Sequence, residues 1–103
     1  MKTRILNMLG IANKAGKLVT GEDSVINGLQ KRNVKIVFVA NDSSDRTIDK
    51  FDHKCFYYGV ECIKTYSSDE LTKAIGRCRK IVGITDQGFC DAIKKLMEES
   101  KWK

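Results

Sequence analysis

The 103-residue sequence predicts an α/β protein: a three-layer α/β/α sandwich with a central sheet of about four strands flanked by about five helices. Three observations carry that expectation. Short apolar runs alternate with longer segments whose apolar residues recur at three- and four-residue steps. Glycines and Ser/Asp clusters punctuate the whole chain, which contains no proline. Apolar residues make up 42% and charged residues 31%, too many hydrophobes for disorder and too few for a membrane protein. One domain spanning 1–103 is expected, since no linker or repeat interrupts the pattern.

Thr3 is placed to cap a first helix whose Ile5, Leu6, Leu9 and Ala12 follow the 3.6 period, with Gly16 ending it. Lys17 to Thr20 makes a short strand. Gly21-Glu22-Asp23-Ser24 opens a second helix, whose Val25, Ile26 and Leu29 form a stripe before Lys31-Arg32-Asn33 closes it. Gly28 weakens this helix by about 1 kcal/mol relative to alanine unless close packing requires it. Val34 to Ala40, apolar from Ile36 through Val39, reads as a strand covered on both faces.

Ile48, Phe51, Cys55 and Tyr58 share one face of a third helix that stops at Gly59, and Val60 to Tyr66 follows as a strand. Ser67 and Glu70 form a capping-box pattern for a short fourth helix through Leu71, Ala74 and Ile75, ending at Gly76. Ile81 to Thr85 is the last strand. Phe89, Ile93, Leu96 and Met97 then line a terminal helix that begins near Asp86-Gln87-Gly88, with Trp102 frayed or loosely docked beyond it. The alternating order favours right-handed crossovers, with antiparallel pairing of one short strand left open.

The apolar stretch Ile5–Ala12 is broken by Asn7 and followed by Asn13 and Lys14, with no small-residue cleavage pattern. No run approaches the roughly 18 apolar residues of a membrane span. A soluble cytoplasmic protein without membrane contact is expected. Cys55, Cys62, Cys78 and Cys90, with 6, 15 and 11 residues between them, form no C-x-x-C pair, so free and mostly buried thiols are expected. A metal held by His53 with Cys55, Cys62 and Cys78 is disfavoured, because positions 53 and 55 project in different directions from a helix.

Nucleophile elbows, phosphate loops, dinucleotide fingerprints and metalloprotease motifs are all missing, and His53 beside Asp52 and Lys54 reads as a solvated side chain. Adjacent acids Asp69-Glu70 and Glu98-Glu99 diverge on a helix instead of converging on a substrate. Tyr57, Tyr58 and Tyr66 could stack bases, but core or sheet-edge aromatics with one wet end are the favoured reading. Neither an enzyme nor a cofactor is expected.

Nineteen Lys and Arg against 13 Asp and Glu give a net charge of +6 and point to a polyanionic partner. Residues 1–51 carry +4 and residues 52–103 carry +2, with no basic tail, so folding must assemble any anion-binding surface. The candidate segments are Lys14 and Lys17; the helix start from Gly21 through Asp23 and Ser24 to Asn27; the loop Asn41 to Ser44 after the second strand, led by Asn41 and Asp42; and the basic turn Arg77, Cys78, Arg79, Lys80. A helix start offers free amides and a positive dipole to phosphate or base edges, and flanking cations hold a nucleic-acid backbone.

Three ordered blocks, Leu6–Glu22, Val34–Ser44 and Val82–Phe89, resemble the bacterial YlxQ-like branch of the ribosomal L7Ae superfamily over nearly the whole chain. The resemblance implies the same α/β/α sandwich and binding of structured RNA, ribosomal RNA included; a monomer is expected. In that superfamily's kink-turn binders the second helix opens with Gly-x-Asn-Glu-x-x-Lys. Gly21 matches, while Asp23, Ser24 and Asn27 stand where Asn, Glu and Lys are expected. Each charged hydrogen bond lost this way costs about 1.5–3 kcal/mol. The loop that covers an extruded nucleotide in the family corresponds to Arg77–Lys80, here strongly basic, which implies RNA binding with a shifted target. The competing expectation is a protein-interaction accessory of ribosomes or transcription whose basic face meets an acidic partner; an enzyme acting on a small anion is a third.

Overall fold

A computed structural model describes residues 2–101, with side chains for 4–98. Trp102 lies outside the described residues. The elements are α1 (Lys2–Lys14), β1 (Leu18–Thr20), α2 (Glu22–Gln30), β2 (Ile36–Val39), α3 (Asp45–Tyr58), β3 (Glu61–Ile63), α4 (Ser68–Ile75), β4 (Ile81–Ile84) and α5 (Gln87–Lys101). Strands and helices follow the expected order. The helix α1 already includes Thr3, which is therefore not its cap.

The four strands form one sheet in the order β1-β4-β2-β3. β4 runs antiparallel to both β1 and β2, and only β2 and β3 are parallel. The sheet is thus more antiparallel than the alternating order suggests. The reason is the path of α4, which starts where Ser68 N donates to Asp42 Oδ1 and ends where Asn13 Nδ2 donates to the Ile75 carbonyl. It crosses from the end of β2 to α1 and delivers the chain into β4 in the reverse direction.

The central strands alternate their side chains between two cores, as a period of two requires. Ile36, Phe38, Val82 and Ile84 pack with Ile5, Leu9, Leu71 and Ile93 of α1, α4 and α5 on one face. Val37, Val39 and Ile81 pack with Val25, Leu29, Phe51 and Cys55 of α2 and α3 on the other. Every residue of β2 and β4 is buried, the signature of strands covered on both sides. Ser44 caps α3 by accepting from Thr47 N, and Ser67 and Glu70 complete the capping box of α4.

All four cysteines are free. Cys55 and Cys90 are buried and Cys62 is half-buried, whereas Cys78, expected in sheltered surroundings, is exposed in the turn after α4. The Cys55 thiol is pushed up by its hydrogen bond to Cys62 and by burial, while the same bond draws Cys62 down. Tyr66 is buried, His53 is exposed and Tyr57 is largely exposed. Among the described residues, no group of side chains could hold a metal and no helix is long and apolar enough to cross a membrane.

Gly28 is a place where a side chain does not fit. A Cβ there would overlap Val34 Cγ2, and Val34 is buried and β-branched, so it has little freedom to turn away. Close approach of α2 to the sheet explains the helix-weakening glycine. Gly28→Ala is expected to destabilise the fold by about 1 kcal/mol net, because overpacking of about 1–3 kcal/mol outweighs the gain in helix propensity. In a Val34→Ala background the same substitution should cost less, which urea-denaturation midpoints of the double-mutant cycle will read.

Candidate nucleic-acid interface

Because β1 and β2 both run against β4, their ends meet the start of β4. Gly21 N donates to the Ile81 carbonyl at 2.9 Å and Ala40 N to the Lys80 carbonyl at 2.8 Å. Arg79 Nε reaches Thr20 Oγ1 at 3.2 Å, tying the basic turn to the end of β1. The loop after β2 is joined to the start of α4 by Asn41 N, which donates to the Tyr66 carbonyl at 2.9 Å, and by Asn41 Nδ2, which donates to Thr65 O at 3.1 Å. Four separate turns therefore form one rim.

Asn41, Asp42, Arg77, Cys78, Arg79 and Lys80 are all exposed on this rim. Asp23, Ser24 and Asn27 are exposed along α2, the last at helical spacing from the first two. Lys14 is exposed at the end of α1 and lines a cavity shared with Lys73 and Gly76, next to the start of the basic turn. Lys17 is not brought to this end. Its carbonyl accepts from Thr85 N at 2.9 Å, which fixes it where β4 finishes, at the opposite end of the sheet.

Gly21 precedes α2 with φ 91° and ψ 154°, a conformation that L side chains rarely adopt, and no side chain caps this helix. The first-turn amides of α2 are thus left for a ligand or solvent. Glu22, which would repel an anion there, pairs with Lys50 at 3.2 Å. Asp42 is likewise engaged: it accepts from Ser68 N at 3.0 Å and Ser68 Oγ at 2.6 Å, and these bonds hold its carboxyl below the usual 3.8. Two of the rim's carboxylates are occupied internally, while Arg77, Arg79 and Lys80 are exposed, Arg79 with bonds to Thr20 Oγ1 and, at 3.1 Å, to the Cys78 carbonyl.

Between the starts of α2 and α3 lies a cavity of about 360 Å³ lined by Gly21, Glu22, Ser43, Ser44, Thr47, Lys80 and Ile81. The Ser43 hydroxyl is buried there without a hydrogen-bond partner among the described residues. An unsatisfied buried hydroxyl costs about 1–3 kcal/mol. The sequence marks the whole loop Asn41 to Ser44 but favours Asn41 and Asp42 within it, since nothing in the sequence separates a buried serine from the capping Ser44 beside it.

A family model described as the ribosomal protein L7Ae/L30e/S12e/Gadd45 family matches residues 3–94. The chain belongs to this family. Among its relatives is the RNA-binding protein YlxQ of Enterococcus faecium, 43% identical over 97 residues that cover 94% of each chain. The RNA-binding protein YlxQ of Bacillus subtilis (strain 168) is 39% identical over 92 residues, covering 88% of this chain and 92% of that one. A protein with unknown function from Bacillus halodurans C superposes with a TM-score of 0.87 at 30% identity, covering 91% of this chain and 96% of the other. The Giardia lamblia 15.5kD RNA binding protein shares the fold alone, with a TM-score of 0.76 at 14% identity over 91% of this chain and 82% of its own.

The Asp42 link to α4 makes the rim acid-sensitive. A carboxyl whose folded value lies below 3.8 adds stability that is fully present above that value and is lost as pH falls through the folded one. The Ser68 amide resonance should titrate with a midpoint below 3.8, and Asp42→Asn should abolish that titration.

Proposed function

We propose that the chain is a non-enzymatic, cytoplasmic RNA-binding protein that docks structured RNA, ribosomal RNA included, as a monomer through the rim of Gly21, Asp23, Ser24, Asn27, Asn41, Asp42, Arg77, Cys78, Arg79 and Lys80; Lys14 is left out, because Lys17 N donates to the Ala12 carbonyl at 2.9 Å and holds that turn beside Lys17. Lys17 has no part in it. The observation that carries the reading is the unpartnered Ser43 hydroxyl in a cavity bounded by two helix starts and Lys80. Such a cradle suits a phosphate oxygen: amides and a hydroxyl donate, and an ammonium neutralises. Membership of a ribosomal-protein family, and the two YlxQ relatives that are each named as RNA-binding proteins, support the same partner.

Asp23 offers a carboxylate where a kink-turn binder has an amide, and Asn27 removes a cation. The rim therefore favours backbone contacts over the guanine contacts of kink-turn recognition. Basic side chains in the turn after α4 serve the same end.

Charge reversal in Arg77→Glu/Arg79→Glu should weaken binding to ribosomal RNA across sequences, and the slope of log K against log salt should fall by about 0.9 for each duplex phosphate that the variant no longer neutralises. Affinity equal to wild type in a filter-binding titration rejects the rim. Conversely, Asp23→Asn/Ser24→Glu/Asn27→Lys should raise affinity for a standard kink-turn by at least about tenfold, since each restored charged bond contributes about 1.5–3 kcal/mol. Tight kink-turn binding by the wild type would refute the reading of those three positions.

A further inference from the structure

The opposite end of the sheet carries a second set of cations, and there they are interleaved with aromatic rings. Lys35 sits at this end, its amide donating to the Ile84 carbonyl at 2.7 Å. From Lys35 to Ala40 is five residues of extended chain, about 16 Å. The two ends are separate surfaces. A cavity of about 260 Å³ opens beside Lys35, lined also by Arg32, Lys94, Tyr58 and Gln87. Small-molecule pockets run to roughly 300–1,000 Å³. This one suits a phosphate and its sugar.

Arg32 is the residue that sets this surface apart. Its φ of 59° makes it the sole non-glycine residue in the left-handed region among those described. At the ends of α3 and α4 glycine does the same work, as Gly59 and Gly76. Keeping an arginine in that conformation is strained. What the strain secures is the guanidinium, whose carbon lies 5.6 Å from the centroid of the Tyr58 ring. Tyr58 in turn meets Tyr57 edge-on at 4.9 Å, and Tyr57 is 77% exposed.

The charges around the cavity leave room for an anion. Lys35 Nζ donates to the Arg32 carbonyl at 3.2 Å, which uses one of its three donors. Two carboxylates are near: Glu61 and Asp91 act on Cys90 together with Lys35 and Lys94. Neither lines the cavity, and Asp91 accepts from Gln87 Nε2 at 2.8 Å. Three cations thus line the cavity, and among the described residues no carboxylate does.

We propose that this pole is a second RNA site that takes an unpaired nucleotide, its phosphate on Arg32, Lys35 and Lys94 and its base stacked on Tyr57. Cations beside an exposed ring are the combination with which proteins hold single strands. The site rests on the RNA-binding reading but not on the rim. One molecule would grip a structured element at one end and an unpaired flank at the other.

Fluorescein-labelled hexauridylate, titrated by anisotropy, tests the assignment. Arg32→Gly/Lys94→Ala should bind it at least about tenfold more weakly than wild type, with the salt slope lower by about 1.4, or 0.7 for each single-strand phosphate the two cations neutralise. Tyr57→Ala should lose about tenfold through stacking alone. Glycine adopts the backbone of position 32 more easily than arginine does, so the first variant folds. The rim variant Arg77→Glu/Arg79→Glu should keep hexauridylate affinity within about threefold, because its cations lie a strand-length away. Equal binding by Arg32→Gly/Lys94→Ala, or loss of binding in the rim variant, overturns the second site. Wild-type protein that binds ribosomal RNA but not hexauridylate overturns it too and leaves the rim standing, whereas a rim variant that binds ribosomal RNA like wild type overturns the rim alone.

Discussion

The position of β4 is the constraint on which the rest of the molecule depends. It lies between β1 and β2 and runs against both. The start of a strand so placed must coincide with the ends of its two neighbours. Gly21, the loop after Ala40 and the turn ending in Lys80 are therefore bound together by main-chain hydrogen bonds, not by side-chain attraction. Surface side chains can drift between relatives without scattering the rim, because the ladder of a fully buried strand holds it.

With the frame fixed in this way, the chemistry of the rim is set by local substitutions. Glu22 and Asp42 would oppose an anion, yet one is paired with Lys50 and the other is committed to Ser68. The Asp42 contact also joins the end of β2 to the first turn of α4, so the same carboxylate that is withdrawn from the surface helps determine where the basic turn begins. Electrostatics and architecture meet in one side chain. The mixture of signs that remains favours recognition by placed donors over a broad attractive field.

Much of this was legible in the sequence because it is written in short-range chemistry. Ser67 and Glu70 form their capping box three residues apart, and the unbroken run Ile36–Val39 reads as a strand shielded on both faces. Strand direction was not legible. The antiparallel entry of β4 follows from the crossing of α4, fixed by contacts such as Asn13 to Ile75, 62 residues apart in the chain. The same distance effect sends Lys17 to the wrong end for the rim, although Gly21 is only four residues away: β1 lies between them. Local pattern also misleads at Thr3, where a good capping residue falls inside the helix. Arg32 carries no sign of its left-handed backbone, since that conformation is usually announced by glycine.

The sheet has two open margins, β1 and β3, each three residues long. A margin so brief gives a neighbouring polypeptide little main chain on which to add a strand, and on β3 it is flanked by the Lys64–Asp52 ion pair. Crowded copies are thus poor templates for one another.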